Sequence, residues 1–319
     1  MKILAVQNRM GIGDTVIFLP FIKALYKKFN TPISLLVKEN SKADQYLYQC
    51  SYIDKIIILE RDKKNRRHNG FFGSINLIRD LKKYNFDKIF IFNSSFRYYL
   101  IAKFSKISEI YQYPLFEKTK QHITDTPKKF LKDKLNLEIN ENPEIEIDDE
   151  STKLSFKKFE LKKNQMNILL GIGGSGPTKR IPAKTFLKVM EKIQDTKDCK
   201  FFLATGQNKE EQIILNEILN SKFKNFCISL DKLSIKEILP IIKNCNVSIC
   251  NDSSFSHLSA ALGIKTITLM ADTPLIYGTY SSKMYSIIPD GESVVTHDTL
   301  GKDKINPDKI FEKFIKIIN

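Results

Sequence analysis

The sequence predicts an α/β protein built as two doubly wound, Rossmann-like domains, and three observations carry that prediction. Apolar strand-like runs alternate with amphipathic helical stretches from one end of the chain to the other, the pattern of parallel sheets covered by helices on both faces. The alternation fails once, around residues 139–153, where Asn140, Glu141, Asn142, Pro143 and the acidic run 144–150 read as a connecting segment. The length of 319 residues is what two domains of about 150 residues each would need. The expected domains are therefore 1–150 and 151–319, with ligand in a central cleft between them at the carboxyl ends of the strands.

In the first domain the strands are expected at 3–6, 33–37, 56–59 and 88–92, each a short continuous apolar run of the kind buried on both faces of a parallel sheet. Helical spacing of apolar residues places helices near 15–29, 75–84 and 122–135. After the connecting segment a strand at 167–172 restarts the pattern, and a helix follows over about 182–193. Further strands are expected at 201–204, 247–250 and 266–270, with helices between them, and the apolar spacing of 307–318 makes it a closing helix. There is no short sequence repeat and no low-complexity tract.

Composition narrows the function classes. Hydrophobic residues at 42% and charged residues at 27% can offset chain-ordering entropy at this length, which excludes disorder. No run approaches the roughly 18 uninterrupted apolar residues of a membrane span. The apolar run 3–6 is cut off by Gln7, Asn8 and Arg9, so it is not a secretory signal. The five cysteines form no CxxC pair and fit no closed disulfide framework; Cys199, Cys227 and Cys250 lie in strand-like runs and are expected as buried, reduced thiols of a cytoplasmic protein. Lys and Arg outnumber Asp and Glu by 51 to 36, a net charge of +15 that attracts phosphates, nucleic acid or an anionic membrane face. The plain alternative is a compositional habit of a chain rich in Lys, Ile and Asn.

Three segments carry chemistry. In the first, a strand ends at Val6, Gly11 and Gly13 turn the chain, and Asp14 stands where a helix begins. Glycines let backbone approach a ligand, and a helix start offers unpaired N–H groups. The plain alternative makes Asp14 a helix N-cap. The third glycine of a dinucleotide fingerprint is absent.

The second segment, GIGGSGPTKRIP at 171–182, places four glycines after a strand, then hydroxyls and two cations before a helix whose first turn is expected to hold Pro182. Ser175, Thr178, Lys179 and backbone N–H groups suit a diphosphate cradle, although the spacing of a Walker loop is absent. A flexible Gly-rich turn is the alternative. The third segment, NDSSFSHLSAALG at 251–263, opens a small-residue helix from a polar turn, with Ser253 and Ser254 at its start. His257 is one of four histidines, and a packed, hydrogen-bonded role is its plain alternative. Two anion-ready helix starts in one domain and an acid-bearing glycine loop in the other suggest a nucleotide-sugar ligand.

These segments resemble glycosyltransferase family 9, the ADP-heptose:lipopolysaccharide heptosyltransferase family, over nearly the whole chain. MKILAVQNRMGIGDTVIFLP is similar to the family's strand, Gly-Asp and Leu-Pro opening. GGSGPTKRIPAKTF resembles its donor-phosphate segment, and NDSSFSHLSAALGIKTITLM resembles its Asp-Thr-Gly-Leu-x-His-Leu segment; FDKIFIFNSSFR and ATGQNKEEQ are smaller matches. The resemblance implies the GT-B fold, with an acceptor-side first domain and a donor-binding second domain.

It further implies an inverting transfer of heptose from ADP-heptose to a lipopolysaccharide inner-core acceptor, with Asp14 as general base or as a stabiliser of oxocarbenium-like charge. Ser175, Gly176, Thr178 and Lys179 would hold the diphosphate, Asp252, Ser253, Ser254 and His257 would line the donor site, and Glu210, or Glu211 one residue on, would contact the ribose. Gly11 and Gly13 would lie beside the acceptor. Arg61, Arg66 and Arg67, in the basic run 61–68, would bind acceptor or face the membrane; a solvated charge run is the alternative. No metal and no other cofactor is implied. The implied partners are a nucleotide-sugar donor and an anionic glycolipid acceptor, with peripheral contact at the cytoplasmic face of the inner membrane. Ser253, Ser254 and Phe255 stand where the family often has Thr-Gly-Leu, and Met10-Gly11-Ile12 replaces a Ser-rich lead, changes that touch donor-sugar and acceptor contacts.

Other readings are a sugar epimerase or a UDP-sugar transferase on a similar fold, a nucleotide-binding pseudoenzyme, and a basic nucleic-acid-binding protein. The last lacks basic stretches interleaved with stacking aromatics, a binding module or zinc spacing, so no nucleic-acid partner is expected.

Overall fold

Ile3–Gln7 is a fully buried strand, β1, and its neighbours are set by the same apolar logic on either side. The structure is a computed structural model that describes residues 1–9, 11–61, 66–115, 122–162 and 164–319. The chain forms two compact units, Met1–Glu146 and Ile147–Asn319.

The first unit continues with α1 (Ile12–Phe29), β2 (Ile33–Lys38), β3 (Ile53–Leu59), α2 (Gly70–Lys82), β4 (Lys88–Ile91), α3 (Phe96–Phe104), β5 (Glu109–Gln112) and α4 (Asp125–Leu135). Its sheet is parallel with strand order β3-β2-β1-β4-β5. The chain winds outward from β1 to β3, then returns to β4 and winds the other way. The loops after β1 and β4 therefore diverge at the carboxyl edge, the place where open α/β sheets bind ligands.

Helix α1 buries a face of Phe18, Phe21, Ile22 and Leu25 on this sheet. Phe18 meets Phe21 and Phe92 edge to face at 5.4 and 5.5 Å. Full burial of such a ring contributes about 1.5–3 kcal/mol. The helix stops at Asn30, whose φ of 47° is left-handed and whose N–H returns to the Tyr26 carbonyl.

The second unit comprises α5 (Asp149–Lys158), β6 (Met166–Gly171), α6 (Ala183–Gln194), β7 (Cys199–Ala204), α7 (Lys209–Leu219), β8 (Cys227–Ser229), α8 (Ile235–Lys243), β9 (Val247–Asn251), α9 (Ser254–Ala261), β10 (Lys265–Leu269), α10 (Ile276–Thr279), β11 (Met284–Ile287) and α11 (Pro307–Ile318). Its parallel sheet runs β11-β10-β9-β6-β7-β8. The winding reverses between β6 and β9, so the glycine loop and the start of α9 emerge side by side. Gly171 makes that adjacency possible: a Cβ there would stand 2.6 Å from the Cys250 Sγ on β9. The core of this unit includes Leu170, Phe186, Phe201, Ile249 and Phe314.

Several expectations needed correction. The connecting segment is not irregular throughout, because α5 starts inside the acidic run: Asp148 caps it by accepting from the Ser151 N–H at 2.5 Å, and Asp149 and Glu150 suit a helix start. The strands β5, β8 and β11 and the helices α3 and α5 were not expected. The cysteines are free thiols, but Cys227, on edge strand β8, is half-buried where full burial was expected. No helix among the described residues is long and apolar enough to cross a membrane.

Candidate functional site

At the carboxyl edge of the first sheet, the loop after β1 enters α1 through Gly11, which has a φ of 98°. A side chain is strained at that angle, so glycine is required for the entry. Gly11 is the cap residue, and Asp14 is the third residue of the helix, half-buried in its first turn. The alternative that made Asp14 the N-cap therefore fails, and Gly13 lies inside the helix instead of turning the chain. Gln7 Nε2 donates to the Asp14 carbonyl at 3.3 Å, and Thr15 Oγ1 donates to the Gly11 carbonyl at 3.2 Å. These bonds fix the first turn, whose dipole favours a negative Asp14 side chain.

Of the basic run, residues 62–65 lie outside the described residues. Arg66 pairs with Glu39 at 3.1 Å. Arg67 forms a bidentate pair with Asp80, 2.7 Å on each arm, and His68 Nε2 and Lys83 Nζ approach the same carboxylate at 3.1 and 3.0 Å. The Arg67 guanidinium leads the groups that hold Asp80 far below the usual carboxylate range. Arg61 stands near Arg97, which donates to Ser74 Oγ at 2.9 Å and to the His68 carbonyl at 2.7 Å.

In the second unit the loop after β6 is braced from three sides. Asn251 Nδ2, at the end of β9, donates to the Ile172 and Gly173 carbonyls at 2.8 and 3.2 Å. The buried Glu211 accepts from the Gly174 N–H at 2.8 Å, and Arg180 Nε donates to the Gly174 carbonyl at 2.9 Å. The Gly174 N–H is thus committed to Glu211 and is not available to a phosphate.

The loop then makes a single tight turn, Pro177–Lys179, before α6. Pro182 is the cap of α6 and not a residue of its first turn. Helix α6 begins at Ala183, close to the expected start; ahead of it the loop presents exposed Ser175, half-buried Gly176 and Thr178, and the Lys179 ammonium.

Lys179 Nζ lies 2.7 Å from Asp252 Oδ2, and Asp252 Oδ1 lies 3.8 Å from His257 Nε2. On its other side His257 Nδ1 is 2.7 Å from the Tyr280 hydroxyl, and the two rings stack at an interplanar angle of 17°. Burial pushes the Asp252 carboxyl up, but Lys179 and His257 more than offset it and hold the group below its ordinary value. Burial lowers His257 against the pull of Asp252. Burial, with Asp252 nearby, keeps Tyr280 a phenol well beyond its usual range. A proton on Nε2 faces Asp252 across 3.8 Å as an electrostatic contact, and it leaves Nδ1 to accept from the Tyr280 hydroxyl.

Ser253 caps α9, and Ser254 is its first residue. The Ser253 hydroxyl is buried with no hydrogen-bond partner among the described residues. An unsatisfied buried hydroxyl beside a helix start and an ammonium is an arrangement that an anionic, hydroxyl-bearing ligand would complete. Glu210 is exposed and paired with Arg180, whereas Glu211 is buried and holds the glycine loop. Among the described residues no cluster of three His, Cys, Asp or Glu side chains could hold a metal ion.

The structure thus gathers Lys179, Asp252, Ser253, Ser254 and His257 at the switch point of the second sheet. Asp14, Gly11 and Gly13 lie at the corresponding edge of the first. Tyr280 and the bracing role of Arg180 were missed. Tyr280 follows a four-residue helix in a stretch without strand or glycine pattern, so nothing in the sequence marked it.

The family model described as glycosyltransferase family 9 (heptosyltransferase) matches residues 75–291. Lipopolysaccharide heptosyltransferase 1 of Campylobacter coli is 25% identical over 95% of this chain and 93% of its own length. A glycosyltransferase family 9 structure from Veillonella parvula superposes with a TM-score of 0.80 at 20% identity, covering 99% of this chain and 97% of that one. The E. coli heptosyltransferase WaaC with ADP has a TM-score of 0.72 at 13% identity over the whole of both chains. At such identities the structural likeness is one of fold, the pair of doubly wound domains of the GT-B class.

Proposed function

The chain belongs to glycosyltransferase family 9, and on that premise we propose that it transfers a heptose from ADP-heptose to an anionic lipopolysaccharide-type acceptor with inversion at the anomeric carbon. The observation that carries the donor half is the convergence of the Lys179 ammonium, the braced glycine loop and the serine-rich start of α9 at one sheet edge. Such a site suits a sugar diphosphate: Ser175, Gly176, Thr178 and Lys179 take the phosphates, and Asp252, Ser253, Ser254 and His257 take the sugar side. Glu210 is the proposed ribose contact, since Glu211 is committed to Gly174.

In the reaction the acceptor hydroxyl oxygen bonds to the anomeric carbon as the bond from that carbon to the diphosphate oxygen breaks. Asp14 accepts the hydroxyl proton, and Lys179 neutralises the charge that gathers on departing ADP. The contribution of Asp14 comes chiefly from its position against the acceptor hydroxyl. Neither step calls on a metal. Gly11 and Gly13 leave room for the acceptor, and Arg61 attracts its anionic groups, whereas Arg66 and Arg67, expected to share that role, are held by Glu39 and Asp80. The protein works at the cytoplasmic face of the inner membrane.

The test is a mass measurement on a truncated core acceptor offered with ADP-heptose or with UDP-sugars, beside thermal shifts with ADP and UDP. A one-heptose gain from ADP-heptose alone, with stabilisation by ADP, is expected. Stabilisation and transfer with the uridine compounds instead would overturn the donor assignment.

A further inference from the structure

Phe71 and Phe72 are the most exposed large hydrophobic side chains among the described residues, at 76% and 78%. They sit in the first turn of α2 with their rings edge to face at 5.8 Å. A single exposed apolar residue needs no explanation, but two adjacent phenylalanines left in water at one helix start do. On the neighbouring α3, which packs against α2, Phe96 is exposed at its first position and stacks on Tyr99. Arg97 ties the two helices by its bonds to Ser74 and to the His68 carbonyl.

The surroundings are cationic. Arg61, Lys63, Lys64, Arg66 and Arg67 precede the phenylalanines in sequence, against one acid, Asp62. Arg66 and Arg67 are paired with carboxylates, but Arg97 bonds to neutral groups and has Arg61 beside it, so positive charge there is not locally cancelled. Exposed aromatic rings with the uncancelled charge of Arg61 and Arg97 nearby match the chemistry of an anionic bilayer surface: rings enter the headgroup boundary while cations meet phosphates.

We propose that the start of α2, led by Phe71 and Phe72 and supported by Phe96, Arg61 and Arg97, is a docking surface for a lipid bilayer bearing anionic headgroups. This names the surface behind the peripheral membrane contact proposed above, and it stands independently of the transfer reaction. Topology gives it a purpose. In the first sheet β1, β3 and β4 are parallel, so α1, α2 and α3 all begin at the same carboxyl edge. A bilayer docked on Phe71 and Phe72 lies at the edge that carries Asp14, where a membrane-anchored acceptor would arrive.

The absence of tryptophan from the chain provides a direct probe. In Phe71→Trp the single indole should shift to the blue on vesicles of phosphatidylglycerol and phosphatidylethanolamine, but not on neutral phosphatidylcholine vesicles, and added salt should weaken the effect. A control indole in Phe226→Trp, in the other unit, should not respond. Replacing Phe71 and Phe72 by Ser should weaken cosedimentation with the anionic vesicles by about tenfold or more, since the headgroup boundary would no longer bury two rings. The same variant should keep its melting temperature and its activity on a soluble, delipidated acceptor. An indole at 71 indifferent to anionic vesicles, or unchanged sedimentation of the Ser variant, overturns the proposal. So does an indole that responds to soluble acceptor glycan alone, which would make the patch part of the acceptor site. A parent protein that binds anionic vesicles as expected but transfers no heptose would support the docking surface and count against the enzymatic reading only.

Discussion

Lys179 Nζ lies 2.7 Å from Asp252 Oδ2, and the carboxylate it meets is 5% exposed. The cation proposed for the diphosphate is thus already held by a buried anion, which His257 also faces, and Tyr280 steadies His257 from behind. An incoming diphosphate competes with Asp252 for the ammonium, and until then the carboxylate holds that ammonium in place.

Removing the cation alone should therefore do more than weaken phosphate binding. Lys179→Met leaves Asp252 uncompensated and should cost about 3 kcal/mol in a urea melt. Adding Asp252→Asn should restore part of that loss without restoring ADP affinity. A single variant as stable as the parent would show that the pair is not coupled.

The pH dependence has a definite sign. His257 titrates below its ordinary 6.5, because burial disfavours the cation more than Asp252 favours it. Below about pH 6.5 the unfolded chain takes up a proton that the folded chain refuses, so stability present above that pH is lost as the pH falls. The melting temperature of the transition that ADP raises should decline from pH 7 toward pH 5, and His257→Gln should flatten the decline. An equally steep decline in the variant would assign it elsewhere.

Tyr280→Phe removes the donor to a buried Nδ1. It should cost about 1 kcal/mol and make the acid-side decline shallower, because the neutral imidazole loses its partner. Melts of the variant at pH 7 and pH 5.5 check both effects; a loss of stability with an unchanged pH slope would mean that the hydroxyl does not set the state of His257.

Gly171→Ala places a Cβ 2.6 Å from Cys250 Sγ and 2.8 Å from its Cβ. Both lie on strands pinned by the parallel β6 and β9 pairing, so relief requires backbone movement. A destabilisation of about 1–3 kcal/mol is expected in chemical denaturation, with weaker ADP binding as the loop behind Gly171 moves. A neutral substitution would show that the strands are not so tightly joined.

Much of this was legible in the sequence because the signals are local. Buried parallel strands read as continuous apolar runs, and 307–318 reads as a helix from its apolar spacing alone. The strands that escaped are the ones where apolar runs give out: β5 reads Glu-Ile-Tyr-Gln and β8 is three residues long, both at sheet edges. The acidic run 144–150 looked irregular because acids and no apolar stripe mark it, yet acids are what a helix start favours.

At the site, glycines, hydroxyls and Lys179 were visible because they crowd into short segments. The partnership of Lys179 with Asp252 spans 73 residues, and that of His257 with Tyr280 spans 23. Pairing across such distances follows from strand order, which the sequence pattern does not give. The choice between Glu210 and Glu211 likewise needed the fold, since adjacent helix positions point about 100° apart.

The role of Asp14 as base is tested by comparing the parent protein with Asp14→Asn by product mass and rate after mixing with ADP-heptose and a truncated core acceptor. The amide keeps the shape of the side chain but takes up no proton. The parent should add one heptose, and the variant should do so about 10²–10⁴ times more slowly while binding ADP as the parent does. Transfer by Asp14→Asn at the parent's rate would remove Asp14 as the base.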